Sequence, residues 1–355
     1  MKSADKFLSR RTVLGAGLAA GLSAPAFFMR SARADPKRLV IYNFDGELGK
    51  FYTENWIRPF SQANDVKVDE ITMVGSAPPL DKLAAQINAG RPEADVVPLQ
   101  PPQLVFAERN KLLLKLDRAA LTEAENFYPE YITEYGPKLG LWSYGLAFNT
   151  QKITTRPTSW RDMWDPKFKG MVGLNDALFE QALQMVNIAF GRKAGQVDEE
   201  TVKHLAALRP NIVSLWTTGA QAEQLFRSGE IAISPLWNGR VFKLLDQGVP
   251  LDFVVPKEGF FARWNAYTVP RNAQNPELAT KFINFVMNEK AQSALAEQLF
   301  YGTANKKVVY GSDKTKQRVV VATPENVAKV VPEDFVAITD NMPNWSRLWN
   351  RWKAS

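Results

Sequence analysis

The fold is decided by the stretch between residues 39 and 97, which opens with Leu39-Val40-Ile41-Tyr42 and closes with Ala94-Asp95-Val96-Val97. Both tetrapeptides are short apolar runs of the kind that form buried strands. Between them, an apolar face with helical spacing is formed by Leu80, Leu83, Ala84 and Ile87, and Gly90 is placed to end that helix. A strand, a helix and a second strand in this order predict parallel pairing and an α/β sheet covered on both faces.

The same alternation returns in the second half of the chain. Residues 171–174 predict a strand and residues 180–190 the helix after it; a helix over 221–227, closed by Gly229, precedes a strand at 231–233. Asn275-Pro276-Glu277 predicts a helix start, with a capping amide and a proline in the first turn. Two α/β lobes suit 355 residues better than one, and a cleft between them would bury a small ligand.

Residues 1–34 have the three parts of a secretory signal. Arg10-Arg11 precedes the apolar run 13–29, and Ala32-Arg33-Ala34 supplies small residues at the two positions that a signal peptidase reads. The paired arginines predict the twin-arginine export route. Cleavage after Ala34 would begin a soluble periplasmic protein at Asp35.

Composition excludes several classes of protein. The chain is 45% apolar and 23% charged, which is typical of a globular protein. Its net charge is +7, but residues 1–34 carry +5 of it and the remainder only +2, so nucleic-acid binding is not favoured. There is no cysteine and a single histidine, which leaves no material for a thiolate or multi-histidine metal site. We therefore expect no metal, no cofactor and no enzymatic activity; a carboxylate pair at Asp176 and Glu180 is the one catalytic alternative.

Three motifs in close succession carry a resemblance to a known family. They are Leu236-Trp237-Asn238-Gly239-Arg240, then Gly248-Val249-Pro250-Leu251-Asp252, then Val255-Pro256-Lys257-Glu258-Gly259. Supporting segments lie at residues 94–98, 144–149, 158–164 and 300–305. The chain resembles the periplasmic spermidine/putrescine-binding proteins, a branch of the bacterial extracellular solute-binding proteins, over residues 38–305.

This resemblance implies a type II periplasmic-binding fold, with two α/β lobes joined by crossing strands and the ligand cleft between them. It places the crossings near residues 144–149, 264–268 and 308–312. Lobe one would then comprise residues 35–146 and 267–311, and lobe two residues 147–266 and 312–355. The implied partners are a small-molecule ligand and the permease subunits of an ABC transporter, with the protein itself a monomer.

The resemblance also assigns candidate ligand-binding residues. Trp237 matches a tryptophan of the family's pocket, Tyr301 an aromatic residue and Glu180 a glutamate; Asp176, one helical turn earlier, could share the face of Glu180. Aromatic faces attract an alkylammonium group and carboxylates fix its position. A place in the core for Trp237 and an exposed helix surface for Glu180 remain open alternatives.

Several positions depart from the polyamine-binding pattern. Asn265 stands where the family has its main ammonium-binding aspartate, and Arg240 follows Trp-Asn-Gly where a small residue is common. Phe44 and Asp45 follow the first strand, and Arg263 and Trp264 lie beside Asn265. Fewer acids and additional cations predict a ligand that carries an amine and a carboxylate, such as a 4-aminobutyrate-like or opine-like amino acid. A diamine stays open as the alternative, and Arg240 could instead lie on the surface of the next helix.

Overall fold

The computed structural model describes residues 37–73 and 78–355. The predicted signal segment and its cleavage point lie outside the described residues. Ten strands are found in the described part: β1 Arg38–Asn43, β2 Lys67–Thr72, β3 Val97–Leu99, β4 Ile132–Thr133, β5 Gly136–Asn149, β6 Val172–Asn175, β7 Ile212–Trp216, β8 Ile233–Trp237, β9 Leu251–Val254 and β10 Phe261–Thr268.

Helices cover the faces of these strands. They are α1 Gly46–Tyr52, α2 Arg58–Asn64, α3 Leu80–Asn88, α4 Pro101–Arg109, α5 Phe179–Ala189, α6 Glu199–Leu208, α7 Gly219–Ser228, α8 Asn238–Asp246, α9 Pro276–Val286, α10 Glu289–Leu299, α11 Asp313–Arg318, α12 Pro324–Val327 and α13 Phe335–Ala354. A π-helical turn, Thr53–Ile57, joins α1 to α2. The predicted α/β alternation is confirmed.

The order in which the strands pair differs from their order along the chain. Strand β1 pairs with β2 in parallel, and Ile41 makes a parallel bridge to Val96 just before β3. The main sheet then runs β3-β10-β5-β8-β6-β7, with β9 also paired to β5. The first part of β5 pairs with β10, and its last residues pair with β8 and β9. Strands β5 and β10 therefore lie in the middle of the main sheet, and the crossings at residues 144–149 and 264–268 stay a prediction from the family.

Several predicted boundaries are wrong by a few residues. The strand expected at 94–97 is β3, Val97–Leu99. Asp95 instead uses its carboxylate to accept hydrogen bonds from the backbone N–H groups of Val40 and Asn275, at 2.9 and 2.8 Å. The strand expected at 231–233 is β8, Ile233–Trp237, because its partners on β5 lie opposite that range.

The capping role predicted for Asn275 is also wrong. Its side chain makes no cap bond to α9; the amide donates to the carbonyl of Arg38 at 2.8 Å. The predicted start of α9 is confirmed, and the helix buries Phe282 and Val286. Gly90 and Gly229 both adopt positive φ directly after helices, where glycine is favoured.

The last helix, α13, packs against α4 at one end of its length and against α5 and α6 at the other. Within residues 37–73 and 78–355, no helix is both long and apolar enough to cross a membrane.

Candidate ligand-binding site

A cavity opens where strands β1, β3 and β8 end. The cavity is small, with a volume of about 40 Å³ open to water-sized groups. Its walls are formed by Phe44, Asp45, Leu48, Tyr52, Gln100, Trp142, Gly219, Trp237, Arg240, Asn265 and Tyr301. Six of the nine residues expected to bind ligand lie here: Phe44, Asp45, Trp237, Arg240, Asn265 and Tyr301.

The topology explains why these residues meet. Phe44 and Asp45 follow β1, Gln100 follows β3 and Trp237 ends β8. In open α/β sheets the loops at the carboxyl ends of strands line the ligand crevice. Trp142 and Asn265 come from strands β5 and β10. The cavity is thus built from the ends of β1, β3 and β8 and from these two strands.

Aromatic side chains supply five of the eleven residues of the wall. The Trp142 and Tyr301 ring centroids are 6.3 Å apart, and those of Phe44 and Tyr52 are 5.6 Å apart. Trp237 is held from behind by Tyr144 and Trp216, at 5.7 and 5.6 Å. Burial raises the pKa of Tyr301 to about 12, so its hydroxyl is a neutral donor at physiological pH. These faces can enclose an alkyl chain and attract a cation.

One cation lies in the cavity wall between two acids. Arg240 donates through Nη1 to Glu223, its Nη2 is 4.0 Å from Asp45 Oδ1, and its guanidinium carbon is 5.7 Å from the Trp237 ring centroid. Burial disfavours its charge, but the carboxylates of Glu223 and Asp45 outweigh burial and raise the pKa of Arg240. Arg240 is therefore a fixed positive charge, and the three groups together carry one excess negative charge.

Asn265 presents an unused acceptor. It is 4% exposed, and in the part of the chain that the structure describes its Oδ1 has no hydrogen-bond partner. A buried acceptor left unpaired costs about 1–3 kcal/mol. An N–H group of a ligand would satisfy it.

Two of the predicted ligand residues lie outside this cavity, in ion pairs. Glu180 accepts from Arg263 Nη1 at 2.8 Å, and Asp176 accepts from Lys353 Nζ at 2.9 Å and from Trp349 Nε1 at 2.5 Å. Neither carboxylate lines the cavity. Each is ion-paired with a different cation, Glu180 with Arg263 and Asp176 with Lys353.

Trp264 does not line the cavity either. Its ring packs against Phe335 and lies under Lys138 Nζ, 4.8 Å from the ring centroid. Successive side chains of a strand point to opposite faces. Trp264 therefore points away from the face on which Asn265 lines the cavity.

Sequence reasoning missed Leu48, Tyr52, Gln100, Trp142 and Gly219, and the Arg240 partner Glu223. Gln100 had a usable signal, because it directly follows an apolar strand in a segment that departs from the family's pattern. Glu223 had none, because it lies in no recognised motif and its neighbours on α7 do not mark it as a site residue. No cluster of three or more histidine or acidic side chains suited to a metal ion occurs in residues 37–73 and 78–355.

Comparison with known proteins gives a consistent picture. A family model described as bacterial extracellular solute-binding protein matches residues 55–323. The gamma-aminobutyric acid-binding protein of Pseudomonas aeruginosa is 27% identical over 92% of this chain and 94% of its own length. The spermidine/putrescine-binding periplasmic protein of Escherichia coli is 25% identical over 84% of each chain.

Solved structures agree on the fold. The periplasmic binding protein AgtB of A. tumefaciens R10, in complex with agropinic acid, is 21% identical, covers 90% of this chain and 99% of its own, and superposes with a TM-score of 0.78. At this identity the likeness establishes the fold: two α/β lobes of the type II periplasmic-binding class.

Proposed function

The chain belongs to the bacterial extracellular solute-binding protein family, and from that premise we propose that it captures a small ligand carrying both an amine and a carboxylate. It would deliver this ligand to the permease of an ABC importer, acting as a periplasmic monomer after removal of residues 1–34, and would catalyse no reaction. A 4-aminobutyrate-like or opine-like amino acid fits this description.

The observation that carries the proposal is the position of Arg240. Its guanidinium faces the cavity, over Trp237 and between Glu223 and Asp45. A guanidinium is well suited to bind a carboxylate through two parallel hydrogen bonds. A ligand with only ammonium groups would instead bring a second positive charge close to Arg240.

The rest of the cavity suits an ammonium group. Asn265 Oδ1 is an unpaired acceptor, the aromatic rings supply cation-binding faces, and the acids leave one excess negative charge. A cavity with separate groups for each sign should prefer a ligand that carries both, because a buried charge without a partner is costly. The relative named for gamma-aminobutyric acid supports this class, whereas the relatives named for spermidine and putrescine support the diamine alternative.

We further propose that lobe one comprises residues 35–146 and 267–311 and that lobe two comprises residues 147–266 and 312–355. The cavity walls come from both ranges, so closing the lobes would complete the binding site.

Titration calorimetry with 4-aminobutyrate and 1,4-diaminobutane tests the proposal. We expect wild type to bind 4-aminobutyrate more tightly. Arg240→Met should weaken 4-aminobutyrate by about 2–5 kcal/mol, or roughly 30-fold or more, because a buried charged partner of the carboxylate is lost.

Two controls isolate this effect. Arg351→Met removes an exposed arginine paired with Glu199 and should change neither affinity. The double variant Arg240→Met with Glu223→Gln removes the acid that Arg240 would leave unpaired, and should not restore 4-aminobutyrate binding. If wild type binds 1,4-diaminobutane tightly and ignores 4-aminobutyrate and larger amino acids, the protein is a polyamine binder of the same family and the proposal is wrong.

A further inference from the structure

A second buried arginine, Arg263, is paired across the strands with the cavity residue Trp142. The Arg263 side chain is 1% exposed and forms ion pairs with Glu180 and Glu333, whose side chains are 5% and 2% exposed. Its Nη1 donates to Glu180 at 2.8 Å, while Nε and Nη2 donate to both oxygens of Glu333, at 2.9 and 2.5 Å. This cluster joins β10, α5 and the segment that leads into α13.

Strand geometry places the cluster next to the ligand cavity. Arg263 is paired across the strands with Trp142, a cavity residue, and Asn265 follows two residues later. Directly opposed residues of antiparallel strands share a face of the sheet. Tyr144, which packs on Trp237, is buried and lies in the field of both Glu180 and Arg263.

The charge of the cluster does not cancel. Two carboxylates meet one guanidinium, and their attraction outweighs burial and raises the pKa of Arg263. Without that guanidinium, two buried acids would face each other and would need another cation. A second ligand ammonium is a cation of suitable charge.

We propose that Arg263 is a built-in cation that occupies the place of a second ligand ammonium, so that the site admits one ammonium group and rejects diamines. This inference rests on the proposed function and names the residue that limits its ligand class. Arg240 binds the ligand carboxylate. Arg263 excludes a diamine, because it already occupies the position between Glu180 and Glu333 that a second ammonium would take.

The test compares three ligands of the same carbon chain, 4-aminobutyrate, 1,4-diaminobutane and butylamine, on charge-graded variants. In Arg263→Met, which keeps side-chain length, 1,4-diaminobutane should bind at least tenfold more tightly than in wild type, and butylamine should not gain. Arg263→Lys keeps the charge and should retain the wild-type order of affinities. Adding Glu180→Gln to Arg263→Met should abolish the gain.

Loss of Arg263 can also destabilise the fold, so thermal unfolding is measured with each ligand, and Arg263→Gln is tested in parallel. A melting temperature restored by 1,4-diaminobutane but not by butylamine supports the proposal. An equal gain for both amines, no gain in either variant, or unfolded variants that the diamine does not restore would overturn it. Binding of 4-aminobutyrate by wild type tests the proposed function separately.

Discussion

Gly219 leaves the space that the Arg240 guanidinium occupies. A Cβ atom at this position would lie 2.2 Å from the Arg240 side chain, far inside van der Waals contact. Only a residue without a side chain lets Arg240 lie between Glu223 and the Trp237 ring. At the scale of single residues, glycine 219 therefore determines where the positive charge of the cavity lies.

Asn265 is the residue whose change should alter ligand preference most directly. Asn265→Asp converts a neutral acceptor into a charged one, and hydrogen bonds to charged groups are worth about 1 kcal/mol more than neutral ones. The new charge attracts every ammonium group but repels a ligand carboxylate. The ratio of affinities for 1,4-diaminobutane and 4-aminobutyrate, measured by calorimetry, should rise about tenfold toward the diamine.

Asn265→Leu is the matched control. It removes the acceptor without adding charge, and should weaken both ligands without changing their ratio. An unchanged ratio in Asn265→Asp would show that this side chain does not contact the ligand.

At the scale of elements, α13 packs against α4 and also against α5 and α6. Thr339 near its start donates to the carbonyl of Pro102 on α4, while Trp349 and Lys353 near its end donate to Asp176. The face of α13 that packs inward buries Trp345, Trp349 and Trp352. Asp176, predicted as a ligand residue, is thus an anchor of the last helix.

Asp176→Asn should lower the free energy of unfolding by about 1.5–3 kcal/mol, because it weakens hydrogen bonds to a partly buried charged group. Ligand affinity should stay unchanged. Chemical denaturation and calorimetry on the same preparation separate the two effects. Glu199→Gln, which removes the exposed partner of Arg351, is the control and should alter neither quantity. Weaker ligand binding in Asp176→Asn without loss of stability would restore Asp176 to the binding site.

At the scale of the whole molecule, strands β5 and β10 carry the predicted connection between lobes. Within β5, Gly140 has φ of +68°, and opposite it the register of β10 shifts between Arg263 and Asn265. Such irregularities bend a strand locally. They lie beside the cavity residues Trp142 and Asn265, so bending here would move the cavity walls together.

Ligand should therefore close the lobes. We expect a smaller radius of gyration by small-angle scattering and a change in tryptophan emission when 4-aminobutyrate is added, with the emission change reduced in Trp237→Phe. Trp264→Phe, outside the cavity, is the control and should keep most of the change. A ligand that calorimetry shows to bind, yet that changes neither the scattering nor the emission, would exclude closure.

The amino-acid sequence by itself determined the family, the α/β class and much of the cavity. The prediction of a solute-binding protein with two α/β lobes is confirmed by the family match and by the solved structures. Helical spacing placed α3 and α5 to within about a residue. Short motifs identified Trp237 and Arg240 as candidate site residues, and both line the cavity. These features depend on neighbours within a few positions along the chain, so local pattern and propensity determine them.

Only the tertiary structure decided which acids line the cavity and which are held in ion pairs away from it. Glu180 is held by Arg263, 83 residues away, and Asp176 by Trp349 and Lys353, 173 and 177 residues away. Glu223 enters the site through Arg240 on another helix. A carboxylate has the same local pattern whether it meets a ligand or an internal cation. The choice depends on long-range packing, because an ion pair forms wherever the fold brings the opposite charges within a few ångströms.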